Sequence, residues 1–352
     1  MRVGVVGCGY WGSNHVRVFS NHPAVSQVVI IDDRPEIREA VGANFPDALQ
    51  RATLREALDD IDAVVVATPP ETHFDITAAA IAAGKHALVE KPMATTTADA
   101  AELVRMADAA GVTLAAGHTF AHNAAVLKLA ELANAGDFGK LHFIDAARLN
   151  LGLYRQDVNV LWDLAAHDIS IAKMIIGDVP DTVAAWGTRH TTGYSEDAAT
   201  LRMSFANQGI EATVRASWLD PLKVRKTTIV GSEKMAVYDD IDVDARVRVY
   251  EMGRELHRRP DADSQYNVTY RNDGCLIPTI DFQEPLHTQA SDFLESCETG
   301  RSPVADGRDG LAVVAILEAS DRSLQENGMP ITVDLAGIQP KPKLVHRLDA
   351  IA

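Results

Sequence analysis

A glycine pattern near the start leaves this chain few folds. Gly7-Cys8-Gly9-Tyr10-Trp11-Gly12 reads G-x-G-x-x-G, preceded by the apolar run Val3 to Val6 and followed by a helical stretch, Asn14 to Ser20. The pattern is a weak signal alone. Between a strand and a helix it becomes a phosphate-binding turn. Gly7 permits the tight turn, Gly9 lets a pyrophosphate approach the backbone, and Gly12 lets the helix pack on the strand. The free N–H groups of the helix N-terminus face the phosphates. A second run, Val28 to Ile31, ends in Asp32, twenty residues after Gly12, where a carboxylate accepts hydrogen bonds from an adenosine ribose. That carboxylate repels a 2′-phosphate, so NAD(H) is the expected cofactor, with Arg34 the residue that complicates the choice. Tyr10 and Trp11 either cover the cofactor or pack the helix start.

The rhythm of the first third agrees with this turn. Val3 to Val6, Val28 to Ile31, Ala63 to Ala67, Ala87 to Glu90 and Thr113 to Ala116 read as short strands, apolar on both faces. Helical patterns at Asn14 to Ser20, Glu36 to Ala43, Phe74 to Ala83 and Ala98 to Ala109 alternate with them, predicting a doubly wound parallel sheet. After residue 124 the order changes. Helical patterns at Ala125 to Ala133 and Trp162 to Ile176 are followed by strand-like runs at Ala199 to Phe205, Ile210 to Trp218, Val224 to Val230 and Val247 to Glu251. Helices return at Leu286 to Glu298 and Leu311 to Gln325. The expectation is an α/β chain: an N-terminal Rossmann domain, 1–120, and a C-terminal α+β domain, 121–352, with a large, mostly antiparallel sheet. Pro340 and Pro342 favour an extended tail.

Composition sets further bounds. The chain has 352 residues, length enough for about two domains. Its formal net charge is −16, which disfavours nucleic acid as a partner. Three scattered cysteines, Cys8, Cys275 and Cys297, fit a reducing compartment, and the sequence offers no apolar run of membrane-spanning length. A cytoplasmic protein without a membrane partner is expected. His118 and His122 are four apart, but no third ligand accompanies them, so no metal site is expected.

Two more motifs follow the third and fourth strands: Ala67-Thr68-Pro69-Pro70-Glu71-Thr72-His73 and Glu90-Lys91-Pro92. With the glycine loop, with Gly117-His118-Thr119-Phe120 and with Asp163-Leu164-Ala165-Ala166-His167-Asp168, they resemble the Gfo/Idh/MocA family of oxidoreductases over nearly the whole chain. Arg148 to Gly152 and Asn159 to Leu164 look most like the branch that oxidises UDP-N-acetylglucosaminuronic acid at C3. The resemblance implies hydride transfer between nicotinamide and a ring carbon of a sugar. It implies that Thr68, Pro69, His73, Glu90, Lys91 and His118 bind cofactor, and that Lys91, Asp163 and His167 are catalytic.

The chemistry needs a base for the hydroxyl proton and a cation for the developing alkoxide. Asp163 and His167 share one helix face at a spacing of four, and His167 titrates near neutrality. On spacing alone they are a surface pair, and Lys91 alone is a solvated lysine. Only the joint pattern gives them roles. Ala121-His122-Asn123-Ala124 departs from the family's Arg-aromatic-Asn-Pro, which removes one arginine contact. Asn123, Arg148, Asn150, Arg155 and Asn159 are candidate substrate contacts, and equally ordinary polar loop or strand-edge residues. Two other functions stay open: an NAD-dependent glycosidase that oxidises C3 transiently, and a non-catalytic NAD-binding regulator. Ile210, Ala212, Val214 and Ala216 alternate with Glu211, Thr213, Arg215 and Ser217, so one sheet face is mixed and free to pair with a second copy. A homodimer or homotetramer is expected.

Overall fold

Apolar runs too short for helices and glycine-punctuated turns build the first sheet. A computed structural model describes residues 1–340 except 153, 156, 157, 192, 194 and 259–265, with backbone only over 252–258 and 266–273. The expectation for the tail at Pro342 lies outside the described residues. The described chain divides into two units, Met1–Asn123 with Gln283–Glu318 and 334–340, and Ala124–Phe282 with Ala319–Val333.

The first unit opens with β1 (Arg2–Val6), α1 (Tyr10–Ser20), β2 (Gln27–Ile31), α2 (Pro35–Gly42), β3 (Leu49–Arg51) and α3 (Leu54–Ala57). It continues through β4 (Ala63–Val66), α4 (His73–Ala82), β5 (His86–Glu90), α5 (Thr97–Ala110) and β6 (Leu114–Gly117). The six strands lie in the order β3-β2-β1-β4-β5-β6, all parallel. β1 and β4 are buried on both faces, as helices on two sides require. β3 is an addition to the sequence reading. It is a three-residue edge strand, largely exposed, and carries no apolar run to announce it. α1 begins at Tyr10, four residues before its expected start, because the glycine turn feeds directly into the helix.

The second unit contains α6 (Ala124–Asn134), β7 (Leu141–Leu151), a π turn at Leu161–Ala165, and α7 (Ala166–Ile176). Then come β8 (Thr182–Thr188), β9 (Ala198–Phe205), β10 (Ile210–Ser217), β11 (Leu219–Gly231), β12 (Met235–Asp239), β13 (Val247–Arg258) and β14 (Tyr266–Leu276). α8 (Pro285–Thr299), α9 (Gly307–Gln325) and β15 (Ile331–Thr332) close the described chain. The nine strands of the second sheet follow the order β14-β13-β12-β11-β7-β10-β9-β8-β15. Every pairing is antiparallel except β7 with β10. In β10 the expected alternation holds: Ile210, Ala212, Val214 and Ala216 are buried. On the other face Glu211 pairs with Arg202 at 2.8 Å.

Two helices sit where the linear reading did not put them: α8, and α9 as far as Glu318. α8, expected in 121–352 as part of the second domain, belongs to the first unit. Leu286, Ala290, Phe293 and Leu294 pack in one apolar cluster with Val3, Val16, Phe19 and Val28. Burial of the Leu286, Phe293 and Leu294 side chains, each worth about 1.5–3 kcal/mol, holds α8 to the first sheet.

Candidate active site

The carboxyl ends of the parallel strands are where such sheets bind ligands. The loop after β1 shows why. Gly7 has φ +83°, a left-handed conformation natural to glycine, and a Cβ there would meet Thr68 Cγ2 at 2.7 Å and the Ala67 carbonyl at 2.9 Å. A Cβ on Gly12 would overlap the Gly7 carbonyl oxygen, so only glycine lets α1 start this close to the turn. At Gly9 the space is open, with nothing within 4 Å of an added Cβ. Gly9 is also the N-cap of α1 and brings no side chain to occupy the helix's first N–H groups. The first turn therefore offers uncapped donors and room beside them, the requirement of a pyrophosphate. Tyr10 and Trp11 meet edge to face at 5.4 Å and are 78% and 48% exposed, so neither packs the helix start into the core.

Asp32, at the end of β2, is buried and held from several sides. The Cys8 N–H donates to its Oδ2 at 2.8 Å, and the Arg34 N–H donates to Oδ1 at 3.1 Å. The Arg34 guanidinium adds Nε to Oδ1 at 2.9 Å and Nη2 to Oδ2 at 3.0 Å. Arg38 donates to the Asp32 carbonyl. Burial pushes the Asp32 carboxyl up, but the Arg34 side chain and the two backbone donors outweigh it and hold it below its ordinary value. An ionised acceptor thus stands at the carboxyl end of β2. Burial pushes the neighbouring Cys8 thiol up to about 12, so it is no nucleophile.

The remaining cofactor candidates lie along the same edge. Thr68 follows β4, and its Oγ1 accepts from Thr72 at 2.7 Å. His73 is buried and joins two loops, one ring nitrogen 2.8 Å from the Pro92 carbonyl and the other 2.8 Å from that of Thr68. Pro69 lies between them. Glu90 ends β5 against Gly117 of β6, where a Cβ would come 2.7 Å from Glu90 Cα. The Glu90 carboxylate meets His15 Nε2 at 2.8 Å and accepts the Lys91 N–H at 3.2 Å. Burial pushes the Glu90 carboxyl up, but His15 and Lys91 bring it below its ordinary value. Lys91 and a buried His118 complete the set at the ends of β5 and β6. Sequence reasoning missed His15. Its only signal was a histidine on the apolar face of α1, four residues before Phe19, whose ring it stacks on at 6.2 Å.

In the second unit, the geometry is organised around the π turn. Asn159 Oδ1 accepts the N–H groups of Leu161 at 3.0 Å and Trp162 at 3.4 Å, and so caps the turn. Its Nδ2 donates to Asp321 Oδ1 at 2.7 Å, and Trp162 Nε1 donates to Asp321 Oδ2 at 2.7 Å. Asp163 lies within this turn, and its Oδ2 accepts from Trp218 Nε1 at 3.0 Å. Arg155 Nη1 stands 3.7 Å from Asp163 Oδ1. His167 follows on α7, half-buried. Arg148 is placed differently from the other candidate contacts. It is 4% exposed and donates to Asp168 at 2.6 and 3.2 Å. Asn150 is half-buried on β7, and Asn123 closes the first unit, 2% exposed. Trp218 and Asp321 were not foreseen. Their partners lie 55 and more than 150 residues away, beyond any local spacing rule.

These features define a dinucleotide-dependent oxidoreductase. Residues 1–118 match the NAD-binding Rossmann model of the Gfo/Idh/MocA oxidoreductases, and residues 126–237 match that group's C-terminal domain model. The chain belongs to the Gfo/Idh/MocA family, and its cofactor is NAD. It is similar to the UDP-N-acetylglucosamine 3-dehydrogenase of Acidithiobacillus ferrooxidans, 29% identical over 326 residues, 90% of this chain and 94% of that one. A crystal form of that enzyme aligns at TM-score 0.75, with 26% identity, over 92% of this chain and 99% of that one. GenD2 of gentamicin A biosynthesis, solved with NAD, aligns at TM-score 0.77 and 26% identity over 95% and 96% of the two chains. The WlbA dehydrogenase of Bordetella pertussis, solved with NADH and UDP-GlcNAcA, shares the fold at TM-score 0.76 and 22% identity over 95% and 99%. Among the described residues no helix is long and apolar enough to cross a membrane, and no three His, Cys, Asp or Glu side chains are grouped to hold a metal ion.

Proposed function

We propose that this chain is an NAD-dependent dehydrogenase, or ketosugar reductase, acting on a ring hydroxyl of a UDP-linked N-acetylhexosamine or its uronic acid, at C3. The observation that carries the reading is the likeness to a UDP-N-acetylglucosamine 3-dehydrogenase over nine-tenths of both chains. The strand-edge geometry supports the cofactor half of it. The α1 N-terminus and Gly9 hold the pyrophosphate, and Asp32 takes the ribose hydroxyls. Bound there, NAD supplies the hydride acceptor.

The chain's own residues do the rest. His167 takes the proton from the substrate hydroxyl oxygen in the oxidative direction and returns it in the reductive one. Asp163 orients that exchange by hydrogen bonding. The Lys91 ammonium offsets the charge that builds on the oxygen. Arg155, near the Asp163 carboxylate, contacts the anionic part of the substrate, and Asn150 lines the sugar site. The mixed outward face of the second sheet docks a second copy, which light scattering at micromolar concentration reads as a dimer or tetramer.

The test is nicotinamide absorbance during incubation with NAD⁺ and UDP-N-acetylglucosamine or UDP-N-acetylglucosaminuronic acid, and with NADH and the 3-keto forms. Stoichiometric change, lost in His167→Ala while NADH still binds, is the expected result. Sugar cleavage with no net change in nicotinamide would replace the dehydrogenase by a glycosidase. Silence toward every substrate in both directions would overturn the reading.

A further inference from the structure

We infer that Trp218 is a positioning residue for Asp163, aiming its carboxylate through the indole N–H; this rests on the role given to Asp163 above. Trp218 joins β10 to β11 and is 2% exposed. Its backbone is pinned on both sides. The Trp218 N–H donates to the Asp197 carbonyl at 2.9 Å, and its own carbonyl accepts from the Gly152 N–H at 3.0 Å. Its ring is pinned as well. Tyr154 meets it edge to face at 5.2 Å, and a Cβ on Gly152 would lie 3.0 Å from Trp218 Cδ1. A donor held this firmly has one direction to offer, and Asp163 Oδ2 lies on it at 3.0 Å.

Asp163 needs such a fixed donor because of where it sits. A π turn is looser than an α-helix, and insertions of this kind recur at functional sites. The entry of the turn is fixed by Asn159 and Asp321, as described above, but those bonds do not touch the Asp163 side chain. Trp218 supplies one that does, and Arg155 at 3.7 Å lies toward the other oxygen. A hydrogen bond from a rigid donor to a charged acceptor is among the stronger kinds, and removing one from a site that must be held within about half an ångström costs rate before affinity.

Two measurements test this. The chain has four tryptophans, so ¹⁵N-indole labelling gives four N–H resonances, and Trp218→Phe identifies the one of interest. In Asp163→Ala that resonance moves upfield as its acceptor is lost, and an unmoved resonance would overturn the contact. The second measurement is turnover of UDP-N-acetylglucosamine and its C3-deuterated form. Trp218→Phe keeps the aromatic packing and loses the donor. The expected result is a kcat lower by about 10-fold or more, the loss of one hydrogen bond to a charged group. NADH affinity stays within about twofold, and the primary deuterium isotope effect rises as hydride transfer becomes more rate-limiting. Wild-type kcat and isotope effect in Trp218→Phe, beside an inactive Asp163→Ala, would overturn the inference alone. An active Asp163→Ala would overturn the role of Asp163 and the inference with it. Should Trp218→Phe fail to fold, as judged by lost NADH binding, Gly152→Ala brings a Cβ to 3.0 Å from Trp218 Cδ1 and 3.1 Å from Asn150 Nδ2, displacing the indole by tenths of an ångström with the donor retained, and Asn150→Ala serves as its control. The same fall in kcat and rise in isotope effect is expected of Gly152→Ala, and unchanged values would overturn the inference.

Discussion

Arg34 grips both oxygens of Asp32, with Nε 2.9 Å from one and Nη2 3.0 Å from the other. The pair closes the carboxyl end of β2, beside the glycine turn. Asp32 is kept ionised, and on the proposed reading it accepts from the ribose while Arg34 offsets part of its repulsion toward a 2′-phosphate. NADH is therefore expected to bind more tightly than NADPH. Arg34→Ala widens that preference by exposing the carboxylate charge, and Asp32→Ser narrows it toward parity, each read by isothermal titration. The pH sign follows from the lowered carboxyl. Asp32 is ionised above about 4 in folded and unfolded chains alike. Its contribution to stability and affinity is present there and is lost only as pH falls through its depressed native value. NADH affinity accordingly shows no Asp32 titration between pH 5 and pH 8.

Gly9 and Gly12 are expected to separate binding from folding. Gly12→Ala forces a Cβ into the Gly7 carbonyl and lowers stability by about 1–3 kcal/mol or more, measured by denaturant unfolding. Gly9→Ala meets open space and changes stability by no more than about 1 kcal/mol, the cost of alanine at an N-cap. Its methyl enters the pyrophosphate cradle, and NADH affinity falls by about 10-fold, the equivalent of about 1.4 kcal/mol. Equal effects of the two substitutions on binding and stability would contradict this division.

The Arg148–Asp168 pair is buried on both sides, 4% and 1% exposed. Arg148→Met leaves Asp168 without this cation in the interior and is expected to destabilise by about 3–5 kcal/mol. The double variant Arg148→Met with Asp168→Leu recovers much of that loss, because no buried charge remains. A double-mutant cycle by urea unfolding measures the difference. If Arg148 instead served chiefly as a substrate contact, the single variant would raise KM and leave stability nearly unchanged.

Asn159 holds the π turn, and Asn159→Ala removes a cap worth about 0.5–2 kcal/mol. The loss is expected as a lowered Tm. Asn159→Ser retains an oxygen for the cap and should recover part of it.

Asp197 gives the clearest acid response. Burial pushes its carboxyl up, but the His190 ring and the N–H groups of His190 and Thr191 overcome this and bring it down to about 2. A depressed carboxyl contributes stability above its unfolded value, about 4, and loses that contribution as pH falls toward 2. Asp197→Asn flattens the stability curve over that interval, as thermal unfolding at stepped pH would show.

Much of the first unit was legible in the chain because its signals are local. Gly7, Gly9 and Gly12 act within one turn, and Asp32 lies one strand further on. The strands of the parallel sheet are apolar runs whose burial needs no knowledge of their neighbours. The alternation in β10 was legible for the same reason. β7 was not, although it lies inside the second sheet, because it carries Arg148 and Asn150 and lacks a β-branched run. Its place is set by pairing with β10 and β11, which the local pattern does not encode.

Local spacing encodes the dinucleotide turn, Asp32 twenty residues beyond Gly12, the α/β character of the first unit and the family. Each depends on spacing along one short segment. Folding settles which polar side chains brace one another: Arg148 against Asp168, His15 against Glu90, Asn159 against Asp321, Trp218 against Asp163. It also brings α8, and α9 as far as Glu318, into the first unit. A hydrogen bond or a packed face needs a partner at contact distance, and those partners lie from 20 to more than 250 residues away in the chain. No periodicity specifies such pairs; the closing of the sheets and helices does.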